Sequence, residues 1–206
     1  MSQQTDAWFE SRLGKVTASR VRDVMAKGRG NAPSVTRQNY MMQLLCERLT
    51  GRREEGYTNA AMQRGNELEP FARMAYELFA DADVVEVGLV DHPSIVGFGA
   101  SPDGMVGDRG LLEIKCPNTA QHIAVVQSGK HDAQYEWQML AQMACTGRDW
   151  VDFVSFDDRM PEALQYVCHR YERDDKRIAE MEEEVAKFLG ELDALECDMR
   201  GRMEAA

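Results

Sequence analysis

Ser101-Pro-Asp-Gly104, followed after eight residues by Glu113-Ile-Lys-Cys-Pro117, constrains this chain more than any other stretch. Leu111-Leu-Glu-Ile-Lys115 reads as a strand, and strand side chains alternate between faces, so Glu113 and Lys115 point one way and Ile114 the other. Charged groups in such an apolar setting are buried only when partnered. If the strand before Asp103 pairs with this one, Asp103 lies beside Glu113. Two carboxylates that close cannot both stay ionised cheaply without a cation between them. Magnesium, a hard ion that seeks oxygen ligands, fits that need, and the Ile114 backbone carbonyl between the two side chains offers a further ligand. Such an ion can polarise a phosphoryl oxygen and acidify a bound water. Lys115 would then contact the attacking water or the phosphate, either as a base or as an electrostatic stabiliser.

Around this element the pattern alternates helix, sheet and helix. A helix is expected from Thr17 to Lys27, opened by a Thr or Ser cap, and then a Gly/Asn/Pro loop from Gly28 to Ser34. Further helices are expected over Thr36 to Leu49, ending near Gly51, and over Thr58 to Phe79, so that three helices precede the first strand. Val84 to Val90 and Ile95 to Ala100 read as strands about an Asp91-His-Pro-Ser94 turn, forming a meander with Leu111 to Lys115. Helices around Thr119 to Gln127 and Gln134 to Thr146 lead to strands at Trp150 to Phe156 and Leu164 to Cys168. Ile178, Met181, Val185, Phe188, Leu192 and Leu195 recur at helical steps among acidic residues and predict an amphipathic helix packed on the sheet. The fold class is α/β, α+β-like, with a central mixed β-sheet flanked by helices. One domain covers 1–206: a helical part at 1–80, a sheet core at 81–172 that carries Asp103, Glu113 and Lys115, and a terminal helix at 173–200.

The net charge of −11 argues at first against nucleic acid, whose non-specific binding needs Lys and Arg. Distribution changes that. Between Arg12 and Arg53 stand ten basic residues and two acidic ones, Asp23 and Glu47, which makes the segment a candidate phosphate-tracking surface. A solvated charge run balanced by the acidic remainder is the alternative. The five cysteines are scattered, without metal-ligand spacing, and read as reduced thiols that partly fill core positions. His92, His122, His131 and His169 have no ligand spacing and no expected catalytic role. No apolar run nears the roughly 20 residues that span a bilayer, and the polar start lacks signal-peptide features. No membrane association and a cytoplasmic location are expected.

Four ordered motifs then coincide: Trp8-x-x-x-Arg12-Leu-Gly with Thr17-Ala-Ser19, Arg64-Gly-x-x-x-Glu69, Ser101-Pro-Asp-Gly104, and Leu112-Glu-Ile-Lys-Cys-Pro117. Together they resemble the PD…(D/E)xK nuclease superfamily, with its restriction-endonuclease-like core, and within it the lambda-exonuclease and YqaJ-type recombination exonucleases. The resemblance implies that Asp103 and Glu113 bind metal, that Lys115 is the catalytic lysine, and that Glu69 completes the metal site in preference to Glu67, which lies on another helical face. It implies Mg2+ as cofactor, with Mn2+ able to substitute. Arg12 matches the arginine that holds a terminal 5′-phosphate, Ser19 a hydroxyl donor with the same task, and Thr17 belongs to that motif. Tyr135-Glu-Trp-Gln138 is similar to a later motif, whose glutamine lies near the nucleophilic water and whose tyrosine lines the site. Trp8 and Trp137 are expected in the core rather than as base-stacking platforms.

The activity so implied is 5′-to-3′ digestion of linear double-stranded DNA with a 5′-phosphorylated end, leaving a 3′ single-stranded overhang. Implied partners are two further copies in a ring-shaped homotrimer around DNA and a single-strand annealing protein, in a phage or prophage setting. A restriction-type endonuclease, a non-catalytic DNA-end-binding protein and an acidic helical interaction module are the competing readings. Residues that split the duplex are sought in the basic Gly28 to Arg37 region, where nothing singles out a wedge.

Overall fold

Thr5 caps the first helix, its hydroxyl accepting the Trp8 backbone N–H at 3.3 Å, and α1 (Asp6–Arg12) follows. The computed structural model describes residues 3–28, 34–53 and 60–205. After α1 come β1 (Val16–Thr17), a 3₁₀ turn at Ala18–Arg20 and the short α2 (Val21–Val24). The helix expected from Thr17 to Lys27 is therefore largely replaced. Val16 and Thr17 are β-branched, buried and extended, pairing in parallel with Phe98 and Gly99, and the Thr17 hydroxyl caps nothing. A strand thus precedes the longer helices.

Ser34 accepts the Arg37 N–H and opens α3 (Val35–Thr50), which stops at Gly51 in the left-handed conformation, φ +64°. Next is α4 (Ala60–Ala80). Thr58 and Asn59 of the expected helix, and 29–33 of the expected loop, lie outside the described residues. Short strands follow: β2 (Val84–Val85), β3 (Val90–Asp91), β4 (Phe98–Ala100) and β5 (Gly104–Val106), then the longer β6 (Gly110–Lys115). The chain continues as α5 (Thr119–Ser128), a 3₁₀ turn at Ala133–Tyr135, α6 (Glu136–Thr146), β7 (Trp150–Phe156), a 3₁₀ turn at Glu162–Leu164, β8 (Tyr166–Glu172) and α7 (Asp175–Glu204).

The strands form two sheets, in the orders β1-β4-β3 and β2-β5-β6-β7-β8. The expected single meander is split, because β3 and β4 pair with each other while β2 joins the larger sheet through β5. The strand before Asp103 does not pair with β6. Instead β5, after Asp103, does so, with Gly104 opposite Leu112. Asp103 sits where the chain crosses between sheets. The larger sheet is mixed, β6 and β7 being its parallel pair, and helices flank it as the sequence predicts.

Alternation on β6 and β7 builds two cores. Leu111, Val151 and Phe153 face a cluster with Met139, Leu140 and Met143 of α6 and with α7. Leu112, Ile114, Val154 and Phe156 face Leu68, Ala72 and Tyr76 of α4. Glu113 shares its face with Leu111, under α6. Ile178, Met181, Val185, Phe188, Leu189 and Leu192 of α7 are buried, whereas Leu195 is 36% exposed, so the apolar stripe ends one turn early. The acidic helix is a core element. The thiols are free, with Cys145 buried in the core. No helix among the described residues is long and apolar enough to cross a membrane.

Folding also spends much of the basic segment on internal pairs. Lys15 meets Asp91, Arg20 meets Asp23, Arg37 meets Glu191 at 2.7 Å, and Arg48 meets Asp193 and Glu196. Among the described residues, four of the ten cations of the segment thus bind the chain's own carboxylates, which leaves fewer of them for a phosphate-tracking surface.

Two substitutions test this architecture. Phe188 stacks on Tyr40 at 5.6 Å and lies under Arg37, so Phe188→Ala is expected to lower the stability seen in urea unfolding by about 3–5 kcal/mol. At Gly110 a Cβ would collide with the Trp150 ring, over which the Arg170 guanidinium lies at 3.6 Å. Gly110→Ala should cost about 1–3 kcal/mol, and an unchanged urea midpoint would contradict this close approach.

Candidate active site

β6 carries Glu113 and Lys115 on one face, and Lys115 forms an ion pair with Glu113 Oε1. Glu113 is fully buried. Gln138 Nε2 of α6 also donates to Oε1, at 2.6 Å, and Gln142 Nε2 donates to Oε2. Asp103 reaches the strand from the crossing, its Oδ2 accepting the Ile114 backbone N–H at 2.7 Å. Desolvation and then the charge of Glu113 raise the Asp103 carboxyl well above the usual range, against Lys115 and that N–H. For Lys115, desolvation works against the charge, but Glu113 and Asp103 outweigh it and hold the ammonium above its ordinary value.

Glu69 of α4 lies on the same groove, a cavity of about 530 Å³ lined also by Gly65, Asp103, Ile114, Lys115 and Tyr135. Desolvation raises its carboxyl, Arg73 opposes that, and the Glu113 charge raises it further. Arg73 holds Glu69 at 2.8 Å. Glu67 is exposed, with Gln63 as its partner, as its different helical face requires.

These groups suit a hard divalent ion. Three carboxylates gather around Lys115 and Arg73, and the mutual repulsion that raises Asp103 is what such an ion offsets. Asp103, Glu113 and the Ile114 carbonyl supply oxygen donors. Among the described residues, however, no three acidic, His or Cys side chains converge on one point, and Glu69 is committed to Arg73.

Tyr135 ends the 3₁₀ turn before α6, and its ring faces Lys115 Nζ at 4.9 Å. A smaller cavity of about 140 Å³, lined by Trp8, Arg12, Ser19, Ser101 and Gln138, adjoins these residues. Ser101 accepts hydrogen bonds from Trp8 Nε1 at 3.0 Å and Arg12 Nη1 at 3.1 Å. Arg12 also lies over the Trp8 ring at 4.2 Å. Trp8 is thus half-buried against Arg12 and not in the core, as expected of it, because its indole N–H is used by Ser101. Trp137 does pack at the core margin. Burial, chiefly, pulls the Arg12 guanidinium down to about 10. Arg12, Ser19, Arg20, Tyr40 and Arg53 line a further cavity of about 370 Å³. Thr17 is buried beside it, its N–H donating to the Tyr40 hydroxyl and its own hydroxyl 3.5 Å from Ser19 Oγ.

The structure therefore brings Asp103, Lys115, Glu69 and Tyr135 to one groove, pairs the buried Glu113 with Lys115 and Gln138, and places Gln138, Arg12 and Ser19 on the smaller cavity and Thr17 with Arg12 on the further one. The sequence reading missed Gln142 and the joining role of Ser101. Gln142 was findable, since four residues after Gln138 is the same helical face. The histidines bond elsewhere: His122, buried, meets Ser155 Oγ and the Leu164 carbonyl, and His92 meets Glu182.

Residues 7–149 match the family model of the YqaJ-like viral recombinase domain. The whole structure resembles that of an alkaline exonuclease, LHK-Exo, from Laribacter hongkongensis, with TM-score 0.91 and 57% identity over 98% of this chain and 100% of that one. LHK-Exo in complex with dAMP gives TM-score 0.92 at the same identity and coverage. A phage related exonuclease from Haemophilus somnus 129PT shares the fold, with TM-score 0.70 and 18% identity over 90% of this chain and 96% of that one. No curated protein matches. By the match that spans most of its length, the chain belongs to the YqaJ-like viral recombinase domain family.

Proposed function

We propose that this chain is a magnesium-dependent exonuclease that digests the 5′-ended strand of linear duplex DNA and leaves a 3′ single-stranded overhang. The buried Glu113 carboxylate, beside Asp103 and gripped by Lys115, is the observation that carries the reading. The family match and the exonuclease relatives support the reaction class, and the dAMP bound by LHK-Exo is the kind of nucleoside monophosphate that such a reaction would release here.

Asp103, Glu113 and the Ile114 carbonyl would hold the metal, with Mn2+ able to replace Mg2+ at these oxygen donors. When bound, the ion polarises the scissile phosphate and lowers the pKa of the attacking water. Lys115 places a positive charge where the phosphate accumulates negative charge, Tyr135 borders the same groove, Gln138 reaches Glu113 from the cavity that Arg12 lines, and Glu69 adds a carboxylate to the groove. Arg12 suits a terminal 5′-phosphate: it is desolvated, its recorded partners among the described residues are Ser101 and the Trp8 ring, and its fork matches phosphate oxygens. Ser19 and Thr17 lie beside it. Ser101 ties this anion site to the Asp103 loop, so the end of the strand and its first phosphodiester bond can be held together. A ring-shaped homotrimer enclosing the duplex, acidic outside and basic within, and delivery of the overhang to a single-strand annealing protein complete the proposal.

The primary test is digestion of linear duplexes labelled at either end, with magnesium. Loss of the 5′ strand is expected, and Lys115→Ala should lower the rate by about 10²–10⁴-fold while the protein stays folded. Cleavage of covalently closed circles would overturn the exonuclease assignment. With 5′-phosphate and 5′-hydroxyl ends compared, Arg12→Ala should reduce the preference for phosphate by about ten- to a hundredfold, the worth of one charge-assisted contact. An unaltered preference would remove Arg12 from the phosphate site.

A further inference from the structure

We propose that Gln142 is a positioning residue for the metal site, locking the Glu113 carboxylate in the one rotation that presents Oε1 to Lys115. The inference rests on the metal-dependent reading of that site. It begins from an imbalance. Gln142 is fully buried and its Oε1 has no hydrogen-bond partner among the described residues, while its Nε2 donates to Glu113 Oε2. A buried amide with an unpaired acceptor is a poor choice for stability alone, because the carbonyl loses its water without replacement. A leucine of similar size would avoid that loss but leave the buried Glu113 Oε2 without its donor, so the amide is tied to the carboxylate.

The geometry explains the amide. Gln138 and Gln142 are four residues apart on α6 and extend from one face of the helix over β6. Gln138 Nε2 takes Oε1 and Gln142 Nε2 takes Oε2, so the carboxylate is held at both ends and cannot turn about its last bond without breaking a contact. Turning the Gln142 amide over would set its carbonyl oxygen against Oε2, acceptor facing acceptor. Glu113 therefore orients Gln142 as firmly as Gln142 orients Glu113, and the orphaned oxygen is the cost of that mutual fix. Gln138 borders the cavity that also holds Arg12, whereas Gln142 is sealed beneath it, so Gln142 acts only through Glu113. Partners that orient a metal-binding side chain in this way are commonly worth 10–100-fold in metal affinity or activity.

Titration of the DNA-free protein with Mn2+ by calorimetry tests the role apart from catalysis. Gln142→Leu should weaken Mn2+ binding about 10–100-fold and raise the Mg2+ concentration for half-maximal digestion in parallel, while the metal-free melting temperature falls because Glu113 Oε2 loses its donor. Equal Mn2+ affinity in a folded variant would overturn the proposal. Should the leucine variant fail to fold, Gln142→Met, unbranched like glutamine, provides the same comparison, and loss of fold in both would show a structural role instead. Wild-type protein that neither binds Mn2+ nor digests DNA would defeat the nuclease reading itself, whereas wild-type binding matched by the variant defeats only the role of Gln142.

Discussion

Burying an ionised carboxylate in the middle of a sheet is among the most expensive things a fold can do, and the contacts of Glu113 show what it takes. Each oxygen must be met by a donor, and the donors come from two elements: Lys115 from the same strand, Gln138 and Gln142 from α6. That requirement ties the helix to the strand in one register. It also explains why the Glu113 face of β6 lies under an amphipathic helix with two glutamines, while the opposite face meets the wholly apolar Leu68 and Ala72 of α4.

From this anchor the rest of the site follows by short links. The Ile114 N–H, on the same strand, holds Asp103, and two residues before Asp103 the Ser101 hydroxyl receives Arg12 and Trp8. The N-terminal helix is thereby joined to the Asp103 loop through one serine. Acid and base are segregated along this line, carboxylates at the strand and a desolvated guanidinium at the helix end. Such an arrangement can hold both a cation and a phosphate within one substrate path.

The chain's acidity has a structural use as well. Carboxylates of α7 meet Arg37 and Arg48 of α3, while the inner face of α7 completes the main core. Exposed pairs of this kind add roughly 0–1 kcal/mol each, so the apolar contacts of Phe188, Met181 and Leu192 bind the helix and the charges set its alignment. Arginines engaged in these pairs have their charge met within the fold, whereas Arg12 and Arg53 line a cavity.

Periodicity by itself determined the long elements, since α3, α4, α6, α7, β6 and β7 each bury enough side chains for their 3.6- or 2-residue repeat to show. Strand alternation set Glu113 and Lys115 on one face of β6, while the resemblance of the ordered motifs singled out Asp103, Glu69 and Arg12 as candidates. Short strands escaped: β1, β3 and β5 span two or three residues each, too few for a repeat, and they exist because distant partners supply their hydrogen bonds. The division into two sheets, the Ser101 hydroxyl that accepts from Arg12 and Trp8, and the second glutamine on Glu113 were likewise decided in tertiary structure. Each depends on which buried polar groups meet across the fold, and hydrogen bonds between residues tens of positions apart leave no periodic trace in the chain.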